Sequence, residues 1–409
     1  MVKRELYMEQ IRPLINKDII KVITGIRRCG KSFILNLIID ELLELKINKN
    51  NIILINLESN KYSNIKNNED LNELIYKKTK NIKGKIYLFF DEIQNIKNWE
   101  KSINGFRVDL DSDIYITGSN SELLSGELSS QLTGRTFEIQ MYPFSFKETL
   151  LFKNEENDNI SENEVFDEYL KFGGMPFIFQ LENADKIKYL NDLFNSIIYN
   201  DIIQRNNIRD VDLLDKLIKY MISNIGHIFS ARSISKYFKH EEKNVSRETI
   251  YNYLVYCINA CLFFKVQRED LIGKKILKIS EKYYLADHGF NQAISREKNN
   301  ISQILENIVY IEFKRRGYNV YVGKVKDLEI DFVCEKMGKR VYVQVSYLLA
   351  DSSIVEREFK PLSKVKDSFP KYVLSLDEID FSQDGIQHLT YSPTDYFMQV
   401  SLGDSCSLL

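Results

Sequence analysis

Residues 25–32 read Gly25-Ile26-Arg27-Arg28-Cys29-Gly30-Lys31-Ser32, with the spacing G-x-x-x-x-G-K-S. The run before them, 19–23, is largely apolar and strand-like, and the run after them, 33–45, has helical spacing. A strand, this loop and a helix in that order predict an α/β fold that cradles phosphate. Glycines let the backbone curl until successive N–H groups face one centre, beside the positive end of the helix dipole. On that reading Gly25 to Ser32, with Phe33, hold a nucleotide's phosphates. Lys31 reaches the outer phosphates and the Ser32 hydroxyl ligates Mg²⁺. Cys29 reads as a small filler residue within the loop.

The second half of such a site is a buried strand ending in acids. Ile86-Tyr87-Leu88-Phe89-Phe90 runs into Asp91-Glu92. Asp91 is placed to hold Mg²⁺ through water, and Glu92 to polarise the water that attacks the γ-phosphate of ATP. A buried strand with a charged end is common in isolation; pairing with the phosphate loop gives these acids a task. Further strand candidates at 52–57 and 114–117 alternate with helical runs, which argues for a parallel sheet. The strand at 114–117 leads to Gly118-Ser119-Asn120. There Asn120 either orients water and senses the γ-phosphate or caps a loop. Arg135 precedes a short strand at 136–140. It is either a finger to a γ-phosphate, in its own site or across a subunit interface, or a surface arginine at a turn.

A length of 409 residues suits two to four domains. No stretch approaches the ~20 apolar residues of a membrane span, and residues 1–5 lack a signal-peptide core. The five cysteines are scattered without a C-x-x-C pair, which disfavours a disulfide framework or a zinc site and predicts a cytoplasmic protein. A net charge of −2 gives no global attraction to nucleic acid, so any DNA contact must come from a local basic patch. Loops are expected at 46–51 and 154–164.

Several blocks together resemble a known group. They are residues 25–32, Leu-Phe-Phe-Asp-Glu-Ile-Gln at 88–94, Thr-Gly-Ser-Asn-Ser at 117–121, Gly-Arg at 134–135 and Tyr-Pro-Phe-Ser-Phe-Lys-Glu at 142–148. The chain resembles prokaryotic AAA-type P-loop ATPases, related to the signalling ATPases with numerous domains, that carry a C-terminal nuclease-like domain of unknown function. The Gly173-Gly174-Met175-Pro176 turn and the C-terminal blocks also match, so the likeness covers nearly the whole chain. It implies an α/β fold with a P-loop AAA-type three-layer domain over 1–150.

Beyond that domain, helical periodicity at 165–172 and 187–203 suggests a helical lid over 151–225, of the kind whose motion couples to nucleotide state. Ser230 and Ser246 are N-cap signals for helices at 231–238 and 247–258. Strand-like runs at 262–266 and 276–285 follow. Helix, helix, hairpin outlines a winged-helix domain over 226–295. Either its second helix offers Arg247, Thr249, Asn252 and Tyr253 to a DNA groove or, as is common in ATPases of the type this chain resembles, the module only packs against the core domain. Arg232, Lys236, Lys239, Lys243, Lys274 and Lys275 would neutralise phosphates, opposed by Glu241, Glu242 and Glu248.

The C-terminal domain, 296–409, reads as a helix through 305–316 and strands at 319–322, 329–335 and 340–345. Glu306, Glu329, Asp331 and Gln344 lie at positions that resemble a restriction-endonuclease-like α/β core, in which acids hold Mg²⁺ and a lysine activates water. Glu329 and Asp331 alternate on one strand and share a face. The sequence departs from that pattern, because Gln344-Val345-Ser346 stands where a carboxylate-x-Lys would end the third strand. A degenerate site used for binding is therefore expected over active cleavage, with Lys371 the candidate amine. The plain alternative is that Glu306 and Asp331 pair with Arg315, Lys324 or Arg357.

These expectations converge on a Mg²⁺-dependent ATPase that acts on DNA through its winged-helix and nuclease-like parts. The alternative is a nucleotide-gated switch that binds protein partners and has no nuclease activity. A small-molecule kinase is a weaker third reading, because Asp91-Glu92 suits water activation. Candidate partners are DNA, a second protein and further copies of this chain; a membrane is not expected.

Overall fold

Five parallel strands carry the phosphate loop. The computed structural model describes residues 2–120, 132, 134–156, 160–240, 245–294 and 301–390. They fall into two compact units. The first holds the described residues up to Pro143 with Asn259–Cys261, and the second those from Phe144 to Ile258 and from Leu262 onward.

In the first unit α1 (Glu5–Ile11) precedes β1 (Ile20–Gly25), α2 (Lys31–Glu44), β2 (Ile52–Asn56), α3 (Asn68–Thr79) and β3 (Ile86–Asp91). Then come α4 (Trp99–Asp109), β4 (Ser112–Gly118) and β5 (Thr136–Met141). The sheet order is β2-β3-β4-β1-β5, and every pairing is parallel. The step from β1 to β2 crosses the sheet one way and the steps from β2 to β4 return. Right-handed crossovers running in opposite directions place α2 on one face and α3 and α4 on the other.

Side-chain alternation matches this two-faced burial. Val22, Leu88, Phe90, Ile114 and Ile116 pack with Leu71 and Ile75 of α3 and with Ile103 and Phe106 of α4. The intervening strand residues turn toward α2, whose Ile34, Leu35, Ile38 and Leu42 are fully buried. Lys21 is among them, an ammonium in a hydrophobic layer, and it is tolerated because it pairs with Asp113. Asp113 also accepts from the Asn16 N–H and the Tyr115 hydroxyl.

The second unit begins with α5 (Phe146–Glu156), α6 (Glu162–Phe172) and α7 (Asn183–Ile197). The last continues as a π-turn segment, Ile198–Gln204. The loop expected over 154–164 is trimmed from both ends by α5 and α6, and residues 157–159 lie outside the described part. The Gly-Gly turn has a packing reason. Gly173 has φ +77°, and a side chain on Gly174 would lie 2.1 Å from the Phe144 carbonyl oxygen. The freed space lets the buried Asp287 carboxylate accept the Gly174 and Gly289 N–H groups, each at 2.8 Å.

After α8 (Val211–Ser223) come α9 (Ala231–His240), α10 (Arg247–Asn259), β6 (Phe263–Asp270) and β7 (Lys275–Leu285). The Ser246 hydroxyl caps α10 by accepting the Thr249 N–H at 3.0 Å. Tyr253, expected to read a DNA groove, is instead a buried core residue. Arg232, Lys236, Lys239, Arg247, Asn252, Lys274 and Lys275 are exposed. Lys243, Glu241 and Glu242 lie outside the described residues.

Next are α11 (Gly289–Ile294), α12 (Ile301–Arg315), β8 (Asn319–Val325), β9 (Leu328–Lys336) and β10 (Lys339–Val345). The elements expected from the sequence end at this strand. The chain goes on through α13 (Ser352–Ser363), β11 (Lys371–Ser375) and β12 (Gln387–Thr390). One seven-stranded sheet, β12-β11-β10-β9-β8-β6-β7, includes the hairpin, because β6 pairs in parallel with β8. The hairpin and the C-terminal strands are thus parts of one layer. β6 is also longer than its apolar part, since Arg268, Glu269 and Asp270 pair on both sides. Glu269 is accepted there because Arg340 reaches it at 3.0 Å.

Candidate nucleotide site and a carboxylate cluster

The phosphate loop follows the carboxyl end of β1, next to the place where strand order reverses, which is where open α/β sheets bind ligands. Its conformation requires glycine. Gly25 has φ +149°, and a Cβ there would lie 2.4 Å from the Met141 carbonyl oxygen. Gly30, with φ +108°, opens α2. Cys29 is fully buried, and burial pushes its thiol above its ordinary range. Ile26 is buried, Arg27, Gly30 and Phe33 are half-buried, and Arg28 and Ser32 are exposed.

Lys31 is 5% exposed, and its ammonium donates to the Gly25 and Ile26 carbonyls at 3.0 and 3.2 Å. It also lies 3.4 Å from Glu92 Oε1. Burial disfavours the Lys31 charge, but Glu92 outweighs it and holds the ammonium above its usual range. Burial likewise opposes the Glu92 charge; Lys31 and the Gln94 amide overcome it and keep the carboxyl below its usual range. The structure therefore brings Lys31 and Glu92 together, both ionised.

Asp91 and Glu92 sit where β3 ends. Glu92 takes φ +56°, a conformation costly for a non-glycine residue and often found at functional sites. Thr117, at the end of β4, holds both acids. Its Oγ1 accepts the Glu92 N–H at 2.9 Å and donates to Asp91 Oδ1 at 2.6 Å. Asn56 on β2 donates to Asp91 Oδ2 at 3.2 Å. Asn120, also buried, lies just beyond the end of β4 at Gly118.

Arg135 requires a correction. Its carbonyl accepts the Ile20 N–H at 2.8 Å, at the amino end of β1, whereas the phosphate loop leaves the carboxyl end. Five residues of strand separate the two, roughly 15–20 Å, beyond the reach of an arginine side chain. Its guanidinium bonds Asn104 at 2.8 Å instead. A reach from Arg135 to the γ-phosphate of its own site is ruled out.

The sequence reading missed Arg4. Its side chain is 1% exposed and donates to the Cys29 carbonyl at 3.1 Å and the Tyr142 carbonyl at 2.7 Å, tying the phosphate loop to the end of β5. Thr117, Asn56 and Gln94 were missed as well. Thr117 and Gln94 lay within quoted motifs without being given a role, and nothing in the local pattern marked Asn56 or Arg4.

Residues 17–150 match the AAA domain family, and residues 163–300 match a domain of unknown function, DUF8612. An uncharacterised protein of Haemophilus influenzae is 38% identical over 376 residues, covering 92% of this chain and 93% of its own length. An uncharacterised protein of Methanocaldococcus jannaschii is 33% identical over 407 residues, covering 95% and 89%. The chain belongs to the AAA-type P-loop ATPases. Among solved structures, the Aeropyrum pernix ORC1 protein in complex with DNA aligns with TM-score 0.31 and 13% identity, over 72% of this chain and 91% of that one. A signal transduction ATPase with numerous domains from Pyrococcus horikoshii aligns with TM-score 0.27 and 15% identity, over 77% and 46%. Membership of this family implies nucleotide binding. No helix among the described residues is long and apolar enough to cross a membrane.

In the second unit the four candidate nuclease residues also converge. Glu306 of α12 and Glu329 and Asp331 of β9 surround Lys282 of β7, and Gln344 of β10 bonds the Asp331 N–H at 3.2 Å. The amine comes from Lys282, not Lys371, whose ammonium bonds the Asp367 and Phe369 carbonyls. The alternative arginine partners are engaged elsewhere, Arg315 with Glu312 and Arg357 with Glu358.

Proposed function

We propose that this chain binds ATP with Mg²⁺ at the phosphate loop, hydrolyses it, and couples nucleotide state to DNA contact by its winged-helix and nuclease-like segments. The observation that carries this reading is Lys31, held between two loop carbonyls and Glu92 beside an Asp91 fixed by Thr117. Lys31 would exchange its carbonyl partners for phosphate oxygens, and Glu92, released from the ammonium, would take the proton of the attacking water. The donors suit a hard cation, an exposed hydroxyl at Ser32 and a carboxylate at Asp91. Bound there, Mg²⁺ would neutralise charge developing on the phosphates. Asn120, just beyond β4, would orient water. Arg135 retains a role only across an interface between copies of the chain.

For DNA, the support is the set of exposed cations on α9, α10 and the hairpin turn. A second reading, the protein-binding switch, draws support from buried Tyr253 and from the hairpin strands being committed to a sheet.

The test is ATP turnover with and without duplex DNA, against Glu92→Gln. The variant is expected to bind ATP and turn over about 10²–10⁴-fold more slowly. Equal turnover by variant and wild type would remove Glu92 from the mechanism. Stimulation by DNA that weakens steeply with salt supports the DNA reading; turnover indifferent to DNA supports the switch.

A further inference from the structure

A metal-dependent nuclease needs several oxygen ligands turned toward one point. In this cluster one oxygen of each carboxylate is already turned to an ammonium. Lys282 has a side chain 2% exposed, and its Nζ lies 2.8 Å from Glu306 Oε1, 2.8 Å from Glu329 Oε1 and 3.3 Å from Asp331 Oδ1. An ammonium has three N–H donors and no acceptor, so three carboxylates satisfy it completely.

Further positions are taken too. Glu306 Oε1 also accepts the Tyr284 hydroxyl at 2.6 Å, and Asp331 Oδ2 accepts the Val345 N–H at 3.0 Å. Gln344 turns its carbonyl oxygen to the Asp331 N–H and its amide to Glu358 at 2.9 Å. Among the described residues, no three His, Cys, Asp or Glu side chains are arranged to hold a metal ion.

We infer that Lys282 is the resident cation of this cluster, standing where a nuclease would hold a divalent metal, and that the C-terminal layer performs no metal-dependent phosphodiester cleavage. The inference is independent of the ATPase reading, because every residue it uses lies in the second unit. Lys282 would also brace β7 against α12 and β9, since its three partners come from those two elements. Burial disfavours its charge, but the three carboxylates outweigh that and hold it far above its ordinary range.

The experiment is a Mn²⁺ titration followed by electron paramagnetic resonance, on full-length protein without nucleotide, with Ser32→Ala and Asp91→Asn silencing the first unit. No binding is expected with Lys282 present. Lys282→Ala should open a site with Kd on the order of 10⁻⁴ M, lost again on adding Glu306→Gln. The inference is overturned if protein retaining Lys282 binds Mn²⁺ in a manner that Asp331→Asn abolishes. It is equally overturned if folded Lys282→Ala fails to bind the ion. Should Lys282→Ala not fold, the titration with Lys282 in place, with and without Asp331→Asn, decides alone. Absence of Asp331-dependent binding there supports the inference. Mn²⁺-dependent cleavage of linear DNA that requires Asp331 would also overturn it.

Discussion

Two buried lysines invite comparison. Lys31 and Lys282 are almost equally hidden, each beside carboxylates on neighbouring elements, yet the charge around them differs. Lys31 faces one carboxylate at 3.4 Å and two neutral carbonyls, so its ammonium can exchange weak partners for a charged ligand. Lys282 faces three carboxylates, and any anion would have to displace them. The number of negative charges around a buried cation, more than its burial, separates a ligand-binding lysine from a structural one.

The comparison breaks most readily at Lys282. Replacing it by Met keeps the apolar stem and removes the charge, leaving three carboxylates without their cation. Removal of one member of a buried ion cluster costs about 3–5 kcal/mol. Urea unfolding of the second unit should show a loss of that size, with nucleotide affinity unchanged. A loss below ~1 kcal/mol, the range of exposed pairs, would mean the ammonium is not the counter-ion described.

Lys31→Ala should give the reverse pattern. A charged hydrogen bond contributes about 1.5–3 kcal/mol, so affinity for a fluorescent ATP analogue should fall roughly ten- to 150-fold. The fold should survive, because this change leaves one carboxylate without its cation where loss of Lys282 leaves three. Undiminished affinity, or unfolding of the first unit, would erase the distinction between the two lysines.

Legibility in the sequence followed the same divide. The phosphate loop, β3 and its acids could be read because local spacing carries their chemistry, and the five strands of the first unit fall within two residues of where the apolar runs put them. Lys282 could not be read. It lies in a charged stretch of β7, 24 residues before Glu306 and 49 before Asp331, and only the pairing of β6 with β8 brings its strand into their sheet. Arg4 was hidden for the same reason, its contacts being 25 and 138 residues away. β6 was cut short because Gln267 to Asp270 are all polar, and polarity says nothing of an Arg340 waiting across the sheet. Asp91 and Glu92 were visible, but Thr117, which fixes both, looked like one more residue of a buried strand.

The smallest effect concerns protons. Burial raises the Glu306 carboxyl to about 7, against the opposing pull of Lys282, whereas Glu92 sits below its usual range. For Glu306 the folded value lies above the unfolded one, so its stabilising contribution is complete below the unfolded value of 4.5. It is lost as pH rises through about 7. For Glu92 the sign is opposite, and its contribution is lost only in acid, below 4.5. Between pH 6.5 and 8 the cluster should therefore lose about 1 kcal/mol while the nucleotide site loses nothing from Glu92. Other groups of the second unit titrate too, the buried His288 among them, so the readout is a difference. The unfolding free energy of wild type minus that of Glu306→Gln should decline across this range. A flat or rising difference would mean that three carboxylates share one ammonium without competing for a proton, and the asymmetry between the two lysines would then rest on geometry alone.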